Sequence, residues 1–446
     1  MSVPLRARAG TVVEAVATEL GDRRVVQVTF HDDGRRGALR ADDSRTLAHA
    51  LTYATDQRLP FVGLLASSGV EVTGGVDAFH RWGETARALA RASGVVPVVF
   101  AACGPAVSGP ALLLGLADHV VFTADAYAFV SGPRMVQGFT GVPVSNEVLG
   151  GAAAHARSSG LASLVVADRE AALAAIGDLL AYLPGHVDEL PPQWPTDDPP
   201  DRPTPEAGDL IPAHPTGSYD VRDVLRCIAD DGEVFELRAG WAPNLVTALL
   251  TLGGRPVGVV ANQSQSLAGA IDIPASQKGA RFVSFCDAFN LPLLTVVDTS
   301  GFLPGKDLEW RGMIRHGAQL AFAYARATVP RIGLIVRKSY GGAYIVMDSR
   351  HMGNDVMLAW PSAEVAVMGA KGAVEILHRS APPEQREELE AAYEARYLTP
   401  YPAAERGSVS MVIDPADTRR ELVAALEMLA TKRERLRPRR HDNSPL

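Results

Sequence analysis

Cysteine is nearly absent: Cys103, Cys227 and Cys286 are the three in 446 residues, and they lie far apart. That count and spacing exclude a disulfide framework and cysteine-based zinc motifs, and they suit a reducing cytoplasm. Basic blocks are lacking as well. Net charge is −8, and the one cationic run, Arg433–Arg440, stands at the C-terminal end as a solvated tail. Without a basic face to neutralise phosphates, nucleic acid is not an expected partner. No signal peptide is read at the start. One stretch, Ala92–Ala117, carries no charge, but Pro97, Gly104, Pro105, Gly109, Pro110 and Gly115 punctuate it. A buried strand, a turn and a buried helix are expected there rather than a membrane span.

What the chain does have is an ordinary enzyme's balance, 47% apolar and 21% charged residues, with length for two or three domains. Prolines crowd between Pro184 and Pro215, which reads as an extended connector. The expected organisation is an N-terminal domain over residues 1–183, a linker over 184–216 and a C-terminal domain over 217–446. The two sides repeat each other weakly. Leu59-Pro60 leads an apolar run ending at Ser68-Gly69, and Leu291-Pro292 leads one ending at Ser300-Gly301 with the same spacing. Val96-Pro97 precedes a strand and then Ser108-Gly109-Pro110, just as Val329-Pro330 precedes Gly341-Gly342-Ala343. Two matches in one order point to duplicated domains. Strand-like runs (Val25–Phe30, Phe61–Leu65, Val98–Ala101; Val257–Val260, Leu293–Val297, Ile332–Val336) alternate with helical stretches such as Ser44–Ala54 and Ala275–Ala288. This is α/β order, with glycine turns at strand ends.

Such turns suit one chemistry. Glycine lets backbone approach a ligand closely, and the free N–H groups of a starting helix point at negative charge. Backbone donors aimed at a developing oxyanion lower its barrier by a few kcal/mol, roughly. Gly104–Asp118, GPAVSGPALLLGLAD, has the layout of a crotonase-fold segment; its expected donors are Gly109 and a residue of the loop Ser68, Gly69, Val70. Leu112, Arg134 and Ile345 stand where hydratases of that fold would need carboxylates, so hydration is not expected. Ser300 has no base at a recognisable spacing, and His316 and His351 belong to no metal constellation. No metal is expected.

The segments PNLVTALLTLGGRPVGVVANQ, ARFVSFCDAFNLPLL, DTSGFLPGKDLEWRGMIRHGAQLAFAYARATVP, RKSYGGAY, MGAKGAVEIL and PYPAAERG together resemble the carboxyltransferase (β) subunits of biotin-dependent acyl-CoA carboxylases. The resemblance is dense from about Ser218 onward and thin across Leu59–Tyr182. It implies two tandem crotonase-like (ClpP/crotonase) domains and carboxyl transfer from carboxybiotin to the α-carbon of an acyl-CoA through an enolate. Acyl-CoA would lie in the N-terminal domain of one subunit and biotin in the C-terminal domain of its partner, within a hexamer. By position, Gly342 and Ala343 match the donors to the biotin ureido oxygen, with Gly341, Gly301 and Phe302 on the same side. Ser108 and Gly109 match the pair serving the thioester. Ile345 falls where the family tunes acyl-chain size, and an aliphatic residue there suits something other than strict propionyl specificity. No ATP-grasp region and no Met-Lys-Met motif occurs, so the biotin carboxylase and the biotinylated carrier protein are expected as separate chains.

The sequence departs from that family mainly in its first half. The family's SGGARIQEG becomes SSGVEVTGG (Ser67–Gly75), and GPCAGGA becomes GPAVSGP, where Pro110 has no N–H. Arg35, Arg36 and Arg40 are candidates for CoA phosphate contacts, although a solvated loop carries such a cluster more often. Two alternatives stay open: a specialised decarboxylase or carboxyltransferase acting on an unusual or carrier-bound thioester, and a degenerate subunit that only completes an oligomer.

Overall fold

The computed structural model describes residues 3–5, 11–214, 216–438, 440 and 442–445. Pro215, in the expected connector, and Arg439, in the basic run, lie outside them. The chain forms two compact units, Met1–Pro192 with Arg238–Trp241, and Gln193–Leu237 with Ala242–Leu446.

Each unit is built on one sheet. In the first, the order across the sheet is β1 (Val3–Pro4), β2 (Val13–Leu20), β3 (Arg23–Phe30), β4 (Phe61–Ser67), β5 (Val98–Val107), β6 (His119–Thr123) and β8 (Leu164–Val166). Strand β7 (Tyr127–Phe129) pairs with the end of β5. In the second the strands are β9 (Phe235–Leu237), β10 (Leu245–Leu252), β11 (Arg255–Asn262), β12 (Leu293–Thr299), β13 (Arg331–Tyr340), β14 (Val356–Ala359) and β16 (Met411–Val412). Here β15 (Glu364–Ala366) pairs with the end of β13. An antiparallel pair leads into parallel strands in both sheets.

The sequence explains this order. Strand β12, parallel to both neighbours, is buried along its whole length, as its run of Leu, Val and Thr requires when both faces of a parallel sheet are covered. The antiparallel β10 is buried as fully. Helices supply the cover. Ala41–Asp56 packs on Gly75–Ala92 in the first unit, and Ile273–Ala288 packs on Met313–Arg326 in the second. Asp272 caps Ile273–Ala288 by accepting from the Ala275 N–H at 2.9 Å, a cap contributing about 1 kcal/mol.

The repeat seen in the sequence extends to its fastenings. Asp118 accepts from the Val98 N–H at 2.9 Å, and the Asp118 N–H donates back to the Val98 carbonyl at 2.9 Å. Asp355 does the same with Arg331, at 2.8 and 3.0 Å. In each unit an aspartate clamps the start of the central strand whose far end carries the glycine turn.

The proline-rich stretch differs from a free connector. Its later part is tied into the second unit by Arg419, whose side chain is fully buried. The guanidinium donates to the carbonyls of Pro199 (2.9 Å), Ile228 (2.8 Å) and Asp198 (3.2 Å) and to the Asp230 carboxylate (2.6 Å). Thr204 adds bonds to Ala416 and Pro415. A proline-rich chain spends few carbonyls on helices or ladders, so these remain free to accept from an arginine. Among the described residues no helix is long and apolar enough to cross a membrane.

Arg419→Met should destabilise the second unit by about 3–5 kcal/mol, because the Asp230 carboxylate would stay buried without its cation. Urea unfolding measures this, and limited proteolysis should then cut within 193–204. A loss under about 1 kcal/mol would show that the pair does not hold the stretch down.

Candidate active site

Strand β13 pairs with β14 along Ile332–Ile335 and changes neighbour to β15 at Lys338–Tyr340. On its other side the register with β12 shifts between Val297 and Thr299. The sheet therefore opens at the strand's C-terminal end, and a buried ion pair holds the opening. Asp298 accepts from Arg337 at 2.8 Å and from the Lys338 N–H at 3.1 Å. Arg337 also donates to the Gly217 carbonyl at 2.7 Å, and its guanidinium stands 5.2 Å from the Tyr219 ring. Burial, then the Asp298 charge, push the Tyr219 phenol well above its usual pKa. Arg337 stands within RKSYGGAY, but spacing in sequence does not reveal a partner on another strand.

Beyond the ion pair, Gly341 takes φ +59°, and a Cβ there would stand 3.1 Å from the Val367 carbonyl oxygen. Glycine is required by conformation and by space. The short helix Gly341–Val346 follows, and the N–H groups of its first turn have no partner within the helix. A Cβ on Gly342 would meet only Phe302, at 3.9 Å, so that side of the turn is open. Ala343 is fully buried and Ile345 is 42% exposed. Phe302 also faces Gly317, and the loop before it is pinned where the Ile271 N–H donates to the Gly301 carbonyl at 3.0 Å. Gly301, Phe302, Gly341 and Gly342 thus fall around one turn. The Tyr344 hydroxyl is buried with no hydrogen-bond partner among the described residues, and burial pushes its pKa up to about 12; nothing in its sequence context marks it.

The first unit repeats this construction with different residues. Ser108 occupies the position of Gly341 and shares its positive φ, +61° against +59°. Helix Gly109–Leu116 follows, with Pro110 in its first turn. Gly69 lies against the turn, since a Cβ on it would be 3.6 Å from the Val107 carbonyl oxygen and 4.0 Å from Ser108 Cβ. The loop amides are partly spoken for. Ser68 N–H donates to the Arg36 carbonyl at 2.9 Å, and Gly69 N–H reaches Ser67 Oγ at 3.3 Å. The arginine loop is tied inward: Arg35 pairs with Glu71, and Arg40 with Asp33 at 2.7 Å. Arg36 forms no ion pair among the described residues. Cys103 lies on β5, and burial pushes its thiol up to about 11, so it is no thiolate nucleophile. His316 bonds to Gln277 and Gln319.

Two such folds in tandem, each ending a central strand in a strand-to-helix turn, are crotonase-like. The chain belongs to the carboxyl transferase domain family, whose model matches residues 6–444. It is 42% identical over 413 residues to a propionyl-CoA carboxylase β chain of Roseobacter denitrificans, covering 92% of this chain and 81% of that protein. It is 40% identical over 405 residues to a methylmalonyl-CoA decarboxylase α subunit of Veillonella parvula, covering 89% and 79%. The crystal structure of transcarboxylase 12S, described as a hexamer assembly with hydrolysed methylmalonyl-coenzyme A bound, superposes with a TM-score of 0.96 at 38% identity. It covers all of this chain and 90% of the other. The protein is a carboxyltransferase.

A serine in a backbone region that favours glycine costs about 1–3 kcal/mol, against less than about 1 kcal/mol for the extra freedom of an unfolded glycine. Ser108→Gly should therefore raise stability by about 1 kcal/mol in chemical denaturation. A loss of stability instead would mean that the Ser108 side chain makes a compensating contact.

Proposed function

We propose that this chain moves a carboxyl group from carboxybiotin, carried on a separate protein, to the α-carbon of an acyl-CoA. The observation that carries the reading is the open turn at Gly341–Ala343, held on a strand end fixed by Arg337 and Asp298. The second unit takes the biotin side. A biotin ring is neutral and largely apolar with one strong acceptor, its ureido oxygen, and this turn offers amide donors beside Phe302 and the half-exposed Ile345. When bound, carboxybiotin supplies the carboxyl group. Gly342 and Ala343 orient its acceptor with their N–H groups; these do not titrate, so their strength does not vary with pH.

The first unit takes the thioester. Gly109 N–H faces the acyl oxygen and stabilises the enolate as negative charge moves onto it, with the loop Ser68–Val70 closing one side. Arg36, the loop arginine with no carboxylate partner among the described residues, is the cation for CoA phosphate, with Arg35 held by Glu71. The acyl-CoA is short, the working form is a homo-hexamer in the cytoplasm, and a biotin carboxylase and carrier protein complete the system. The decarboxylase relative favours a second reading, in which the same turns run the transfer from a malonyl-type thioester toward the carrier.

The test is carboxylation of acetyl-, propionyl- and butyryl-CoA with reconstituted biotin carboxylase and biotinylated carrier. Gly342→Pro is the critical variant. Proline is tolerated in a helix's first turn, and only Phe302 lies within 4 Å of a new Cβ. Transfer should fall at least a hundredfold while acyl-CoA binding by calorimetry is retained. Equal loss of both in folded protein would assign the turn a general structural role. Activity only from methylmalonyl-CoA toward the carrier would select the second reading.

Ile345→Asp should lower kcat/KM for butyryl-CoA relative to acetyl-CoA by at least tenfold, because a carboxylate beside an aliphatic chain must be desolvated or protonated. An unchanged ratio across the chain-length series would remove Ile345 from the acyl pocket.

A further inference from the structure

We propose that Trp82 positions the first unit's donor turn and that its indole N–H is the second donor to the acyl oxygen, replacing one the backbone lacks. The inference rests on the acyl-CoA reading of that unit.

Three observations carry it. The first is the way Trp82, on helix Gly75–Ala92, meets Gly109. A Cβ on Gly109 would stand 2.6 Å from Trp82 Nε1, 2.8 Å from Cδ1 and 3.0 Å from Cε2. Adjoining ring atoms at nearly equal distances mean that the pyrrole face, not its edge, lies over the Gly109 Cα. The indole is a roof on the turn, and glycine at 109 is required because any side chain would enter the ring. The roof presses on a peptide whose other residue, Ser108, sits in a region that favours glycine. Such a conformation persists only where the surroundings over-determine it.

The second observation is the indole nitrogen itself. Trp82 Nε1 is buried and has no hydrogen-bond partner among the described residues. With the ring lying flat on Gly109, its N–H runs alongside the turn, in the plane of the ring. An unpaired buried donor costs free energy in the unliganded protein. A ligand oxygen at the Gly109 amide would remove that cost only when bound, which makes the contact selective for the ligand.

The third is Pro110. In the second unit the turn continues with Ala343, whose amide is the second donor of the pair. The corresponding residue in the first unit is Pro110, which has no N–H. The Ser108 N–H, matched by position to the other thioester donor, is given to the Phe129 carbonyl at 2.9 Å. Neither neighbour of Gly109 therefore offers a second amide, and a side-chain donor with no partner among the described residues lies against the turn. Phenylalanine would make the same roof, but only tryptophan brings an N–H.

The test compares Trp82→Phe and Trp82→Ala with wild type, using the full chain with its carboxylase and carrier. Calorimetry is run with propionyl-CoA and with CoA, which lacks the acyl oxygen. W82F should bind propionyl-CoA about three- to tenfold more weakly, the range for one neutral hydrogen bond, with CoA affinity unchanged. Its kcat should fall while circular dichroism and melting stay near wild type. W82A should lose at least a further tenfold in kcat/KM, because the roof goes too. If W82A fails to fold, W82F alone decides the donor role. Wild-type affinity, kcat and KM in W82F would overturn the donor, and W82A matching W82F would overturn the roof. Equal weakening toward CoA and propionyl-CoA would also overturn the donor, as a structural change predicts it. Absence of any CoA-ester binding by wild type would remove the acyl-CoA reading itself, and this inference with it.

Discussion

The ion pair between Asp298 and Arg337 is the constraint on which the second turn depends. A buried pair contributes little net stability, because desolvation offsets most of the attraction. Its effect here is geometric. Asp298 spends its acceptors on Arg337 and on the Lys338 amide, fixing the irregularity where the β12–β13 register shifts before the strands pair again at Thr299 and Ser339. Its own N–H is held by Asn262 at 3.2 Å, and Asn262 reaches on to the Gly269 carbonyl at 3.2 Å. A Cβ on Gly269 would lie 2.3 Å from the Asp298 carbonyl oxygen, so even this supporting loop depends on glycine. The turn inherits its position from hydrogen bonds made before it begins. That is how backbone donors become preorganised: they have no rotamer to choose when a ligand arrives.

The duplication shows which parts of this arrangement are indispensable. Both units keep the aspartate clamp at the strand's start, the second neighbour strand at its end, and a residue near φ +60° where strand becomes helix. They differ in what fills those positions. The second unit meets the conformation with Gly341, whereas the first holds Ser108 there against its preference. Backbone geometry has been kept while side-chain chemistry changed, as expected when peptide groups are the functional groups and side chains are their supports.

Much of this was legible in the sequence. The strands at Val25, Phe61, Val98, Val257, Leu293 and Ile332 begin within two residues of their observed starts, since buried β-branched runs have few other uses. The spacing from Val96 to Ser108 and from Val329 to Gly341 locates both turns in the sequence, because glycine and proline mark backbone conformation directly. What escaped was pairwise. Val13–Leu20 was not read as a strand because Glu14, Thr18 and Glu19 interrupt its apolar pattern. Arg419 looked like any helical arginine until the carbonyls of Pro199 and Ile228 were seen around it. Trp82 stands in an ordinary amphipathic helix, and only the packing of that helix sets its ring on Gly109. Such partners are separated by tens to hundreds of residues, and periodicity holds no information about them.

On the proposed assignment the two turns divide the chemical labour unevenly. A ureido oxygen is a neutral acceptor whose charge changes modestly, and two backbone amides on a rigid strand end suit it. A thioester oxygen gains nearly a full negative charge as its enolate forms, so its donors matter most in the transition state. Yet the first turn is the one with a proline in place of an amide, a strained serine and occupied neighbouring amides at Ser68 and Gly69. If the backbone alone served the oxyanion, the unit facing the greater charge would have the fewer donors. On that assignment a side chain completes the turn, and the buried indole nitrogen of Trp82, without a partner among the described residues, is the group the fold places beside it.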